Sequence, residues 1–218
     1  MEKQVEEKLI ALAEARQVKG DPSHDFQHIR RVLFMAKKIG AHEKVDLDVV
    51  IPAALFHDTV VYRKDSEASK NETDESARVA VEILQALEYP QEKIPAVQAC
   101  IRECSFSKGL KPSSRESAVL QDADLLESTG AISIVRTFSS GGQMNRQFYF
   151  PADPFRKTTE PNVSESGLDL FYARLLKASA RLNTAFAKQI AKRRDKFLKR
   201  FLAELETDLV EAGIVSKA

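Results

Sequence analysis

The segment Ile51-Pro-Ala-Ala-Leu-Phe-His-Asp-Thr-Val-Val61 sets an imidazole and a carboxylate, His57 and Asp58, side by side in an otherwise apolar run. Adjacent residues of an ideal helix point about 100° apart. Both therefore cannot face solvent when their neighbours are Leu55, Phe56, Val60 and Val61. Burying either group without a partner is costly. Position alone leaves two accounts open. In one, His57 is a core histidine bonded to a carbonyl and Asp58 merely closes the helix. In the other, both face a cation, which would also relieve the dipole's opposition to a carboxylate at a helix C-terminus.

Two further segments carry similar groups. Upstream, His24-Asp-Phe-Gln-His-Ile-Arg-Arg-Val32 holds two of the chain's four histidines. His24 and His28 share a face if the helix starts early enough. His28, beside the apolar stripe of Ile29 and Val32, is the better inward-facing candidate, whereas His24 stands at the helix entrance next to Asp25. Downstream, Gln121-Asp-Ala-Asp-Leu-Leu126 holds Asp122 and Asp124. Residues two apart on a helix face different ways, so only one can reach a given point. Asp124, ahead of two leucines, is the harder to explain as a solvated group.

Helical periodicity dominates the rest. A first helix (Val5, Leu9, Leu12, Ala13) is expected to stop at Gly20, and Asp21-Pro-Ser23 reads as a turn. A second carries Ile29 to Ile39, and a third spans about 46–58 with Pro52 early in it. Residues 62–74 read as a polar loop. Further helices are expected over 76–87, 94–101 and about 116–138. An irregular insert with three prolines follows over about 139–166, long enough to suggest function or flexibility. Helical periodicity returns from Leu168 to Val210, as one bent helix or two. No strand pairs or repeats are evident. The fold expected is all-α, a single domain over 1–218 with its core at about 21–138 and C-terminal helices at about 167–214.

Composition narrows the partners. With 218 residues, 43 % hydrophobic, the chain can fill a core. Its 33 basic and 32 acidic residues leave no global attraction to nucleic acid or anionic membrane. No apolar run approaches the roughly 20 residues of a membrane span, and no signal-peptide pattern opens the chain. Cys100 and Cys104, its only cysteines, make no disulfide framework. A soluble cytoplasmic protein is expected, with neither nucleic acid nor membrane as partner.

His28, His57-Asp58 and Asp124 resemble the signature of the HD-domain metal-dependent phosphohydrolases. The likeness extends through Ala54-Leu-Phe-His-Asp58, Ser105-Phe-Ser-Lys-Gly109, Gln121-Asp-Ala-Asp124, Gly130-Ala-Ile-Ser-Ile-Val-Arg-Thr-Phe138 and Leu170-Phe-Tyr-Ala-Arg-Leu-Leu176. It is similar to one bacterial subgroup for which nucleotide pyrophosphohydrolase activity is predicted. The resemblance implies a helical HD bundle in which His28, His57, Asp58 and Asp124 hold one divalent ion. Two imidazoles and two carboxylates suit manganese, nickel, cobalt, iron or magnesium. Such an ion polarises a phosphoryl group and activates water.

The chain departs from the subgroup at three places. Cys104 and Leu170 stand where relatives often have histidine, and Leu125-Leu-Glu127 replaces Arg-Leu-Asp. These changes are read as losses of groups that could touch substrate or a second metal. Around the ligands, Asp58 and Glu72 are candidates for the reacting centre, with Glu72 as general base or as a solvated acid at a helix start. Lys108 could neutralise phosphate or be an ordinary surface lysine. His24, Arg136 and Arg194 are candidates for substrate contact. Arg136 could equally pair with an acid, and Arg194 could lie on a solvated face. The insert, with Arg146, Arg156, Lys157 and its aromatics, is expected to close over substrate. The activity implied is hydrolysis of a nucleotide or related small phosphorylated molecule, foremost nucleoside triphosphate pyrophosphohydrolysis. The alternatives are a phosphomonoesterase and a nonhydrolytic, metal-containing nucleotide sensor. Oligomeric state is left open.

Overall fold

A computed structural model describes residues 1–16, 25–62, 66–105 and 108–216. The expected end of the first helix at Gly20, the turn at 21–23, and His24 lie outside the described residues. Among the described residues there are nine α-helices and no strand, so the fold is all-α, as expected. They are α1 (Lys3–Ala15), α2 (Phe26–Glu43), α3 (Leu47–Phe56), α4 (Glu72–Ala86), α5 (Ile94–Glu103), α6 (Arg115–Leu125), α7 (Gly130–Gln143), α8 (Leu176–Ala178) and α9 (Ala185–Glu211). None among the described residues is long and apolar enough to cross a membrane. The chain divides into two compact units: Met1–Leu125 with Asn183–Ala187, and Leu126–Leu182 with Lys188–Ala218.

In the first unit α3 is the central element. Every residue from Val49 to Phe56 is buried, the mark of a helix surrounded by others rather than one lying on a surface. Its start is set by Asp46, whose carboxylate accepts from the Asp48 backbone N–H at 2.9 Å. Pro52 sits inside the helix and cannot donate to the carbonyl four residues back, that of Asp48. The Tyr89 hydroxyl donates to that carbonyl instead, at 2.6 Å. One proline is thus accommodated by one tyrosine 37 positions later. Helix α2 begins at Asp25, which accepts from the His28 N–H at 2.9 Å. It ends at Lys44 in the left-handed conformation (φ 54°), with Val45 N–H donating to Gly40 at 3.2 Å. A Cβ on Gly40 would stand 2.8 Å from Leu47, so glycine lets the α2 end fold back against the start of α3.

The second unit has its own core of Phe155, Leu168, Phe171, Leu175, Leu198, Leu202 and Leu209. Within it, the expected insert is folded. An isolated parallel bridge joins Gln147 to Ser166. Asp153 accepts from the backbone N–H groups of Lys157, Thr158 and Thr159 at 2.8–2.9 Å.

Several boundaries differ from the sequence reading. The single helix expected over 116–138 is two. Thr129 is extended, Gly130 has φ +69°, and the Thr129 hydroxyl and N–H both donate to the Leu126 carbonyl. Helix α4 starts at Glu72, inside the expected loop, and its Glu72, Asp74 and Glu75 suit the positive end of the helix dipole. Helix α7 runs through Gly141 and Gly142 to Gln143, so the insert opens later than expected. Of the two forms expected for the C-terminal segment, one bent helix or two, the structure shows a divided one, with π-helical turns over Phe171–Leu175 and a stop at extended Leu182.

Candidate metal centre

His57 follows the last residue of α3 and is almost fully buried. Its Nδ1 lies 2.9 Å from the Ala54 carbonyl. A carbonyl can only accept, so Nδ1 carries the proton and Nε2 presents a lone pair when the ring is neutral. That buried Nε2 has no hydrogen-bond partner. It stands instead 3.6 Å from Asp58 Oδ2 and 3.9 Å from Asp124 Oδ1. A lone pair facing two carboxylates is repulsive unless a cation lies among them.

His28, from the first turn of α2 and fully buried, brings its Nε2 to 3.4 Å from Asp58 Oδ2 and 3.6 Å from Asp124 Oδ1. The two rings meet edge to face with centroids 5.5 Å apart. Donor atoms sharing one ion at about 2.1 Å are separated by about 3.0 Å when adjacent and about 4.2 Å when opposite. The four separations fall in that range. His28, His57 and Asp58 are grouped closely enough to hold a metal ion, as are His57, Cys104 and Asp124. The donor set thus fits a divalent cation. The Ala54 carbonyl would serve as the outer partner that fixes a ligating imidazole's tautomer.

The two aspartates of α6 have separate duties, as their spacing required. Asp122 is fully buried and accepts from Asn183 N–H and Thr184 N–H at 2.7 Å, from the Asn183 amide at 3.0 Å and from the Thr184 hydroxyl at 2.6 Å. Thr184 Oγ1 in turn accepts from Ala187 N–H at 3.3 Å, capping α9. Asp122 therefore anchors the start of α9, and Asp124 alone turns to the histidines. His42, the other histidine among the described residues, stacks on Phe186 at 3.7 Å between centroids.

Cys104 was read as a lost group, yet its thiol borders the cluster, 4.0 Å from Asp124 Oδ2. Burial, then the charges of Asp124 and Asp58, push its pKa well above the usual thiol range. The signal available in the sequence was its place at the end of a helix, one residue ahead of the Ser105-Phe-Ser segment. Cys100, a turn earlier, is pushed up to about 12 chiefly by burial and is a packing residue.

The other candidates are engaged as follows. Glu72 accepts from Tyr62 N–H at 2.7 Å, and Ser76 Oγ accepts from Val60 N–H at 3.0 Å. Together they pin the chain just after Asp58 to α4. Lys108 pairs with Asp74 at 2.7 Å. In the second unit, Arg136 lies 3.8 Å from Glu127, which is the acid-pairing alternative. Arg194 is not on a solvated face. It donates to the Leu126 carbonyl at 2.7 Å and to Thr129 Oγ1 at 3.3 Å, holding the break before α7. Two insert cations expected to face substrate are paired with acids of the second unit: Arg156 with Asp169 at 2.6 Å and Glu165 at 2.9 Å, and Lys157 with Glu206 of α9 at 2.6 Å.

Residues 25–129 match the HD-domain family, and every donor just described falls inside that span. An HD-superfamily hydrolase from Bacillus thuringiensis is 30 % identical, covers 94 % of this chain and 97 % of its own, and superposes with a TM-score of 0.72. The chain belongs to the HD-domain family. The uncharacterized Bacillus subtilis protein YpgQ is 29 % identical over 194 residues, 85 % of this chain and 84 % of YpgQ. The structure of YpgQ in complex with ADP gives a TM-score of 0.74 at 27 % identity, covering 96 % of this chain and 100 % of that one. The Lin1889 protein of Listeria innocua gives 0.73 at 28 % identity, covering 96 % and 98 %.

Proposed function

We propose that this chain is a metal-dependent phosphohydrolase of nucleotides or related small phosphorylated molecules, and that it releases pyrophosphate from nucleoside triphosphates. The observation that carries the reading is the buried His57 Nε2, aimed without a hydrogen-bond partner at two carboxylates. His28, His57, Asp58 and Asp124 are proposed to hold one divalent ion: manganese, nickel, cobalt, iron or magnesium. The bound ion would supply Lewis acidity toward a phosphoryl oxygen and a lowered pKa for water.

The chain's own groups do the rest. Ala54 fixes the His57 ring. Side chains of Asp58 and Asp124, each 25 % exposed, form the open rim, while the imidazoles form a dry floor. Lys108 is the candidate cation for phosphate charge, by exchanging Asp74 for substrate. Glu72, which holds the Tyr62 N–H four residues after Asp58, is the candidate to orient water. Arg136 and Arg194 stay outside this proposal, since both are committed to partners in the second unit. The hydrolase among the relatives and the ADP held by YpgQ support the nucleotide assignment. We place the reaction in the cytoplasm and treat the whole chain as one functional domain.

Chelator-stripped protein given Mn²⁺ and each nucleoside triphosphate should release pyrophosphate and monophosphate, resolved by ion-exchange chromatography. Asp58→Ala and His57→Ala should lose both bound metal and turnover. Orthophosphate from monophosphates alone would move the assignment to a phosphomonoesterase. Nucleotide binding with no turnover under any divalent ion would leave a sensor.

A further inference from the structure

We propose that Cys104 is a fifth protein donor to the same ion, and that its sulfur tilts the site toward softer divalent cations such as zinc, cobalt or iron(II) over manganese or magnesium. The inference rests on the metal reading above and adds a ligand that the four-residue set does not contain.

Three observations converge. Donor atoms of His57, Cys104 and Asp124 all lie within 4.8 Å of one another. Sulfur coordinates at about 2.3 Å and nitrogen or oxygen at about 2.1 Å, so ligand atoms on one ion are separated by about 3.1 to 4.4 Å. The 4.0 Å from Cys104 Sγ to Asp124 Oδ2 is inside that window. Independently, His57 Nε2 is buried and without a hydrogen-bond partner in the same triangle, which marks the triangle as a place where a ligand belongs. The thiol is also held in place. Helix α5 ends at Glu103, and the Gln121 amide donates to the Glu103 carbonyl at 2.7 Å, joining the residue before Cys104 to α6, the helix that carries Asp124.

A cysteine serving only to pack would be expected among apolar side chains, as a small hydrophobe. Cys104 borders a carboxylate instead. Ligation replaces its S–H bond with a sulfur–metal bond and releases the proton to solvent. Thiolate selects for borderline and soft ions, whereas carboxylate and water suit magnesium and manganese.

The test uses the full chain, stripped of metal and titrated with Co²⁺. Wild type should show visible d–d bands together with an intense near-ultraviolet sulfur-to-cobalt band. Cys104→Ser and Cys104→Ala should keep the d–d bands, which also reports that the site is still folded, and lose the near-ultraviolet band. Competition between Zn²⁺ and Mn²⁺ should show the zinc preference falling at least about 10-fold in Cys104→Ser, the lower end of what loss of an outer-shell partner costs. His57→Ala should lose all cobalt absorption. Bands that vanish in His57→Ala but never include the near-ultraviolet feature would keep the ion and remove the sulfur. An unchanged zinc-to-manganese ratio in Cys104→Ser would likewise overturn the proposal. No cobalt uptake by wild type would overturn it together with the metal reading.

Discussion

Asp122→Ala and Asp124→Ala, two residues apart on one helix, should have opposite phenotypes. Asp122 accepts four hydrogen bonds of 2.6–3.0 Å while fully buried. Its removal strands the N–H groups of Asn183 and Thr184 and the Thr184 hydroxyl. Each stranded buried donor costs about 1–3 kcal/mol, and such losses are not additive. Three stranded donors, at less than full additivity, put the total at about 3–5 kcal/mol. At this chain length 1 kcal/mol moves the unfolding midpoint by about 2–4 °C, giving a fall of about 6–20 °C. Asp124, a quarter exposed, faces the histidines. Its loss in chelator should cost under about 1 kcal/mol, since the side chain is partly solvated. Calorimetry in chelator, with elemental analysis after metal loading, separates the two. Asp122→Ala should melt early yet load metal when folded, and Asp124→Ala should melt normally and load none. A midpoint drop under about 2 °C for Asp122→Ala, or full metal in Asp124→Ala, would refute the division of labour.

Two more expectations concern the scaffold. Tyr89→Phe strands the Asp48 carbonyl that Pro52 cannot serve, and should cost about 1–3 kcal/mol in chemical denaturation. Burial, with Asp48's charge second, pushes the Tyr89 phenol up to about 12. The unfolded phenol ionises near 10, so wild type should lose stability as pH rises from about 10 through 12, and Tyr89→Phe should lose less over that window. Gly130→Ala puts a Cβ 3.0 Å from Arg194 Cγ at φ +69° and should lower the midpoint of thermal unfolding by a few degrees, since a non-glycine residue there costs about 1–2 kcal/mol.

The sequence showed its helices well because apolar residues recur at helical spacing wherever a helix packs. His28 and His57 were legible because imidazoles in apolar runs need a reason. Breaks were harder to see. Residues 116–138 keep helical periodicity across Thr129 and Gly130, and only a left-handed glycine with Arg194 beneath it interrupts them. Long-range partnerships were hidden for the same reason. Nothing local ties Asp122 to Thr184, Pro52 to Tyr89 or Arg156 to Asp169. The setting of Cys104 was hidden as well, because the chemistry of a thiol depends on what it faces, and Asp124 comes 20 residues later.

The clasp between Asp122 and Asn183–Thr184 also bears on how this chain could change length. It closes a circuit from the end of α6 to the start of α9, so the 60 residues between them form an excursion with both ends fixed beside the donor helix. Doubling a closed loop costs only about 0.6 kcal/mol in chain entropy. Additions or deletions on the surface of that excursion, between Met144 and Gly167, should therefore leave the spacing of His28, His57, Asp58 and Asp124 untouched. This stretch is the natural place to graft a reporter or a tether without disturbing the donors.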